Sequence, residues 1–271
     1  MTTNRNLVLA VPLLLTAALF VLLGAALVHG WFGPASAANR YFCEYAQSGL
    51  LREPANTVSN LGFVAAGLAS AWLLQAEKFH RNENPLTRNP AVAILFASLP
   101  ILLGFGSMAM HATETDLGGE LDLLAMYLVA GFAAAYALRR YFGWGWDGFI
   151  LAFVLGVLFC EAVGQYRQPV IPVLDYAGDA AFALLIAFTV VVEALNTLQR
   201  DIRRENKWGI AALVSFLAAF AAWNFGRNDC PFCRPDSWWQ AHALWHLLFA
   251  LALFFLFLLY VSEHTRAARK R

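Results

Sequence analysis

Apolar stretches of about 20 residues, the length a helix needs to cross the hydrocarbon core of a bilayer, recur along the whole of this chain. They run at roughly 7–28, 57–75, 91–110, 121–138, 148–163, 177–198, 209–225 and 241–261. A backbone inside a bilayer has to satisfy its own hydrogen bonds, so each stretch reads as a helix. The basic residues test the count. If the N-terminus is cytoplasmic and every stretch crosses, Arg40, Arg52, Arg167, Arg227 and Arg234 fall outside, and the other 14 of the 19 lysines and arginines fall inside. The bias alternates loop by loop, as the positive-inside rule requires, and dropping one span would scramble it. The expected fold is an all-α polytopic membrane bundle with both termini cytoplasmic.

Composition agrees. Charged residues make up 14% of the chain and apolar ones 60%, against about 25% charged in a soluble domain. The net charge of +1 comes with no basic stripe, so nucleic acid is not a partner, and no protein partner is expected. No linker, low-complexity run or internal repeat breaks the chain, which reads as one membrane domain. The first stretch has Arg5 before it and small residues (Ala35 to Ala38) after it, in the manner of a signal peptide. Its apolar run is longer than the usual core of about 7–15 residues, so a retained helix is expected.

With sides assigned, the polar residues sort themselves. The outer ends hold Glu44, Glu53, Asn56, Ser107, His111, Asp116, Glu120, Asp122, Asp175, Asp179, Asn224, Asp229, His242 and His246, while the inner ends are mostly Arg, Lys, Asn and Trp. Ionisable groups within spans are costly and are functional candidates by default. His242 and His246 are four apart, so both rings leave one face of a helix, which suits a two-ligand grip on zinc. The bland reading is a pair of interfacial histidines among Trp238, Trp239 and Trp245, part of an aromatic belt. His111, from another span, supplies a third ligand, and three histidines leave the fourth position of zinc open to water. Haem is a weaker reading, because two axial histidines must approach an iron from opposite faces and an i, i+4 pair on one helix cannot. Ser107 lies one turn before His111 and faces the same way. Asp122 is read as opening the next helix after a short loop. A carboxylate beside such a water accepts its proton, and a serine hydroxyl can donate to an oxyanion. Each has a structural alternative: a serine bonded to its own i−4 carbonyl, or an aspartate capping a helix. Asp116 and Glu120 compete with Asp122 for the carboxylate role.

These residues fall into motifs. Glu53-Pro-Ala-Asn56-Thr-Val-Ser-Asn60 resembles the E-x-x-N-T-x-S-N motif of the alkaline ceramidases, and Gly106-Ser107-Met-Ala-Met-His111-Ala-Thr113 resembles their G-S-x-x-x-H-A-T motif. Asp122 stands eleven residues after His111, where that family has its catalytic aspartate. His242-Ala-Leu-Trp-His246 resembles the H-A-x-W-H motif, and Cys43-Glu44 a C-E pair ahead of the first core helix. The resemblance runs in order from about Tyr41 to the last helix. The wider group is the CREST superfamily of seven-helix membrane hydrolases, which includes adiponectin-receptor-like proteins. The resemblance implies a seven-helix core at 39–271, with the helix in 1–38 as an N-terminal addition. It implies a zinc site of His111, His242 and His246 with a water, Asp122 as proton acceptor and Ser107 as oxyanion partner. The implied reaction is cleavage of the amide of a ceramide-like N-acyl lipid to a fatty acid and an amine. The family's calcium site would fall to Glu44, Glu53 and Asn56. Here Tyr41 and Ala46 stand where the family has Asp and Asn, and the stretch from Cys43 to Glu53 is two residues short, which weighs against calcium. The family pairs the cysteine of its C-E motif with one in the last outer loop. The preferred bridge is therefore Cys43–Cys230, with Cys43–Cys233 and a Cys230–Cys233 bridge as alternatives.

Short loops and a compact tail suggest a bacterial member, with the site at the periplasmic face of an inner membrane. One rival reading is a receptor or sensor whose zinc only holds the bundle together. Another is a transporter using Glu161 and Asp179 as a proton path, for which no inverted repeat or broken helix pair is seen.

Overall fold

A computed structural model of the chain describes residues 2–37, 41–76, 84–166, 177–198 and 202–265. Arg40, Arg167 and Asp175, placed at the outer side, and Lys78, Arg81, Arg200, Arg266, Arg269, Lys270 and Arg271, among the basic residues counted as inner, lie outside the described residues. The helices are α1 (Thr2–His29), α2 (Pro54–Ser59), α3 (Leu61–Leu73), α4 (Pro85–Arg88), α5 (Pro90–Thr113), α6 (Asp116–Phe142), α7 (Trp146–Gly164), α8 (Ala177–Leu198), α9 (Asn206–Phe225) and α10 (Ala241–Val261). Two two-residue strands, Ile202–Arg203 and His264–Thr265, are too short to change the all-α class. Seven helices, α1 from Asn6 onward and α5 through α10, are long and apolar enough to cross a bilayer. The chain is a multi-pass integral membrane protein.

The second apolar stretch departs from expectation. In place of one helix over 57–75, the structure has α2, then Asn60, then the 13-residue α3. Asn60 keeps αR angles, so the chain runs on without a turn, but its hydrogen bonding changes. The carbonyl of Asn56 accepts from the Ser59 hydroxyl at 2.8 Å and the Asn60 side-chain amide at 2.8 Å. The Asn60 backbone amide turns instead to Thr57 O at 3.3 Å, the tighter i−3 step of a 3₁₀ turn.

The α5–α6 connection also differs. Asp122 does not open α6; Asp116 does. Glu114 adopts a left-handed φ of 51° and ends α5. The hydroxyl of Thr115 accepts from Gly118 N at 3.1 Å, the cap a new helix requires. Asp122 therefore lies well over one turn inside α6, away from its free amides.

The chain divides into two compact units. Among the described residues, the first comprises those within 1–122 and 204–265, and the second those within 123–203. In the first unit α3 and α5 meet closely: a Cβ on Gly67 would come within 2.6 Å of Ala97 O, so only glycine allows that approach. Leu15, Leu19 and Leu23 of α1 pack on Val64, Ile101, Phe105 and Met108, with Phe20 edge-on to Phe105 at 4.7 Å. Helix α9 lies along α10. In the second unit α7 packs on α8. The Arg140 guanidinium pairs with Glu193 there and donates to Tyr136 O at 3.0 Å, while the Asn196 amide donates to Ala137 O at 3.0 Å. The buried Arg140 charge is thus partnered, as a low dielectric demands.

Candidate metal centre

The end of α5 and the start of α10 meet in the first unit. His111, His242 and His246 are all buried, and one ligand atom from each lies within 4.8 Å of the others. His242 Nε2 is 3.2 Å from His111 Nε2. Tetrahedral zinc with bonds of about 2.0–2.1 Å separates its ligand nitrogens by about 3.3 Å, so the residues present fit that ion. Among the described residues the candidate metal group holds these three side chains and no carboxylate, which leaves a fourth position outside the protein's donors.

Hydrogen bonds on the far ring nitrogens aim the rings of His111 and His246. The chain at Arg52 and Glu53 runs beside the C-terminal end of α5, where Arg52 N donates to Ala112 O and Glu53 N to His111 O, both at 3.0 Å. Two carbonyls that the helix leaves without partners are thereby satisfied. The same contact brings the buried Glu53 carboxylate to His111 Nδ1 at 2.5 Å. A carboxylate on Nδ1 turns Nε2 toward a metal and raises its basicity. His246 Nδ1 lies 2.7 Å from the Ser59 hydroxyl. The ring of His242 stacks under Phe42.

Phe42 is held there by the loop 41–45. Cys43 N donates to Gly226 O at 2.8 Å, Asn228 N to Tyr41 O at 3.0 Å, and Tyr45 N to Pro235 O at 3.0 Å. The disulfide that closes this arrangement joins Cys43 to Cys233, with a Cα–Cα distance of 5.5 Å. It is not the preferred Cys43–Cys230, and Cys230 is a free thiol. The Tyr45–Pro235 bond sets the register: it places Cys233, two residues before Pro235, beside Cys43, two residues before Tyr45. Cys230 is left at the other end of the turn closed by Cys233 N to Cys230 O.

Ser107 is buried, with its Oγ 3.5 Å from His246 Nε2, and it lies beside the half-buried carboxyl of Asp122. Ser107 thus faces the histidines rather than its own helix. Of the three competing carboxylates, Asp122 is the one beside Ser107, while Asp116 opens α6 on an exposed face. Asn224 donates to Phe220 O on its own helix at 2.7 Å, and Asp229 pairs with Arg227 at 3.2 Å on the surface. His29 is exposed and stacks on Trp31.

The three residues matching the family's calcium positions have other work. Glu44 accepts from Ala55 N and Asn56 N, both at 2.7 Å, and so caps α2 with a negative charge at its N-terminus. Burial pushes the Glu44 carboxyl up from its ordinary value, against the pull of those two amides. Glu53 Oε2 takes both His111 and the Asn56 side-chain amide. Glu53 Oε1 and Asn56 Oδ1 remain without a hydrogen-bond partner; calcium takes about 6–8 oxygens, so these three side chains would need backbone carbonyls or waters to complete its shell.

Sequence reasoning passed over three residues. Ser59 stands in the E-x-x-N-T-x-S-N motif, so a signal existed without a role. Phe42 precedes the Cys-Glu pair. Gly226 carried no signal: a Cβ there would meet His242 N at 2.7 Å and His242 Cβ at 2.8 Å, so its bare α-carbon lets α10 start where His242 can reach His111.

No curated protein matches the chain. A family model described as Ceramidase matches residues 34–271, which takes in the loop 41–45, all three histidines, Ser107 and Asp122. The chain belongs to the Ceramidase family.

Proposed function

We propose that this protein is a zinc-dependent intramembrane hydrolase that cleaves the amide bond of a ceramide-like N-acyl lipid to a fatty acid and an amine. The observation that carries the reading is the convergence of His111, His242 and His246, with Ser107 Oγ 3.5 Å from His246 Nε2 and Asp122 beside Ser107. Zinc, when bound, supplies a water of lowered pKa and polarises a carbonyl. The three histidines hold it through Nε2. The Asp122 carboxylate takes the proton of the attacking water and returns it to the leaving amine. Ser107 Oγ donates to the oxygen that gains charge as the amide carbon becomes tetrahedral. Burial of the site keeps bulk water from competing.

A purely structural zinc is normally closed by a fourth protein ligand. The described donor group has three members, which favours the enzyme over the receptor or sensor. The basic-residue bias supports a site at the outer face with both termini cytoplasmic. In a bacterial host that is the periplasmic face of the inner membrane. Helix α1 is then an addition to a seven-helix catalytic core.

The test is metal analysis of purified protein, with turnover of a lipid-amide panel of varied acyl chains. Asp122→Asn is expected to keep its zinc and lose at least about 10²-fold in rate, and His246→Ala to lose both. Zinc retained in full by His246→Ala would remove the three-histidine site. Zinc lost in that variant, with no amide cleaved by wild type, would leave the site and remove the hydrolase.

A further inference from the structure

A neutral imidazole has one proton for two nitrogens, and a metal ligand has to present the bare one. For His111 the Glu53 carboxylate settles which nitrogen that is. For His246 the question falls to Ser59. The Ser59 hydroxyl has a single proton, and its oxygen lies 2.8 Å from Asn56 O and 2.7 Å from His246 Nδ1. A carbonyl can only accept, so the proton goes to Asn56 O. Toward His246 the Ser59 oxygen then acts as acceptor, and Nδ1 must carry the hydrogen. Nε2 is left bare on the side of His111 and Ser107.

We propose that Ser59 is a positioning residue of the metal centre: with the Asn56 carbonyl, it locks His246 as the Nδ1–H tautomer with Nε2 free to ligate. The break between α2 and α3 belongs to the same device. In an unbroken helix Asn56 O would accept the amide of Asn60; here that amide bonds Thr57 O, and Asn56 O is released to side chains. The local alternative is a serine that merely bonds its own helix backbone at i−3. That alternative predicts no effect on His246.

The inference rests on the metal-binding reading, but its first test needs no metal. Selective ¹⁵N-histidine labelling of the zinc-free protein, with His246 assigned by its loss in His246→Gln, reads the tautomer directly while the ring is neutral. Wild type should show a protonated Nδ1 and a bare Nε2. Ser59→Ala should show a mixture of tautomers and, by chelator competition, zinc affinity lower by about 10–100-fold, the usual cost of removing a partner of a ligand. Ser59→Thr, which keeps the hydroxyl, should restore both. A wild-type His246 protonated on Nε2 would overturn the proposal whatever the variants do. An alanine variant with weakened zinc but an unchanged tautomer would also overturn it, since the residue would then act through the fold alone. A wild type that binds no zinc yet shows the Nδ1–H tautomer would sink the metal centre and leave the hydrogen-bond reading intact.

Discussion

Gly226→Ala offers a clean probe of how the metal centre is placed, because the backbone at Gly226 (φ −82°, ψ −2°) suits alanine. Only the added methyl acts. It would stand 2.7 Å from His242 N, 2.8 Å from His242 Cβ and 3.0 Å from His242 Cα, where ordinary contact begins at 3.4 Å. The first of these atoms is backbone, at the start of α10, so no side-chain rotation relieves it. The two segments must part by about 0.7 Å, the shortfall at the closest atom. Ligand distances in a competent zinc site hold to within about 0.2 Å, and His242 Nε2 is the atom 3.2 Å from His111 Nε2. A strain of about 1–3 kcal/mol is expected from overpacking. The same shift should lower zinc affinity by at least about tenfold, which corresponds to about 1.4 kcal/mol. The assay pairs chelator competition for zinc with thermal unfolding in detergent. Gly49→Ala serves as control, since a Cβ at Gly49 meets nothing within 4 Å. If Gly226→Ala bound zinc as wild type does and melted at the same temperature, the close approach of residue 226 to α10 would not be what places His242.

Two further outcomes follow from the same geometry. Glu53→Gln keeps the size of the side chain but replaces the carboxylate on His111 Nδ1 with a neutral acceptor, so zinc affinity should fall by about 10–100-fold while far-UV circular dichroism is unchanged; unaltered affinity would show that the 2.5 Å contact does not tune the ligand. Alkylation and non-reducing peptide mapping should find Cys43 joined to Cys233 and Cys230 modified, as its free thiol requires; a Cys43–Cys230 peptide would contradict the register set by Tyr45 and Pro235.

Much of the architecture was legible in the chain because it is local. An apolar run inside a bilayer has to satisfy its own hydrogen bonds by coiling, and the start and end of α10 were read to the residue. The spacing of His242 and His246 placed both on one face by helical geometry alone, and that of Ser107 and His111 did the same. What the tertiary structure decided depends on residues far apart in sequence. His111 meets His242 across 131 positions, and Glu53 meets His111 across 58. Asp116, Glu120 and Asp122 compete for the carboxylate role by residue type; the resemblance alone singled out the third, and the structure sets it beside Ser107. Cys230 and Cys233 are equivalent by spacing, and the register of the loop 41–45 against Pro235 chose between them. The break at Asn60 arises because side chains compete for one carbonyl, and that competition matters only once His246 of a distant helix is beside it. Hydropathy and helical period act over a few residues and so can be read from them; ring orientation, disulfide partner and the bare α-carbon of Gly226 are set by which surfaces meet when the chain closes.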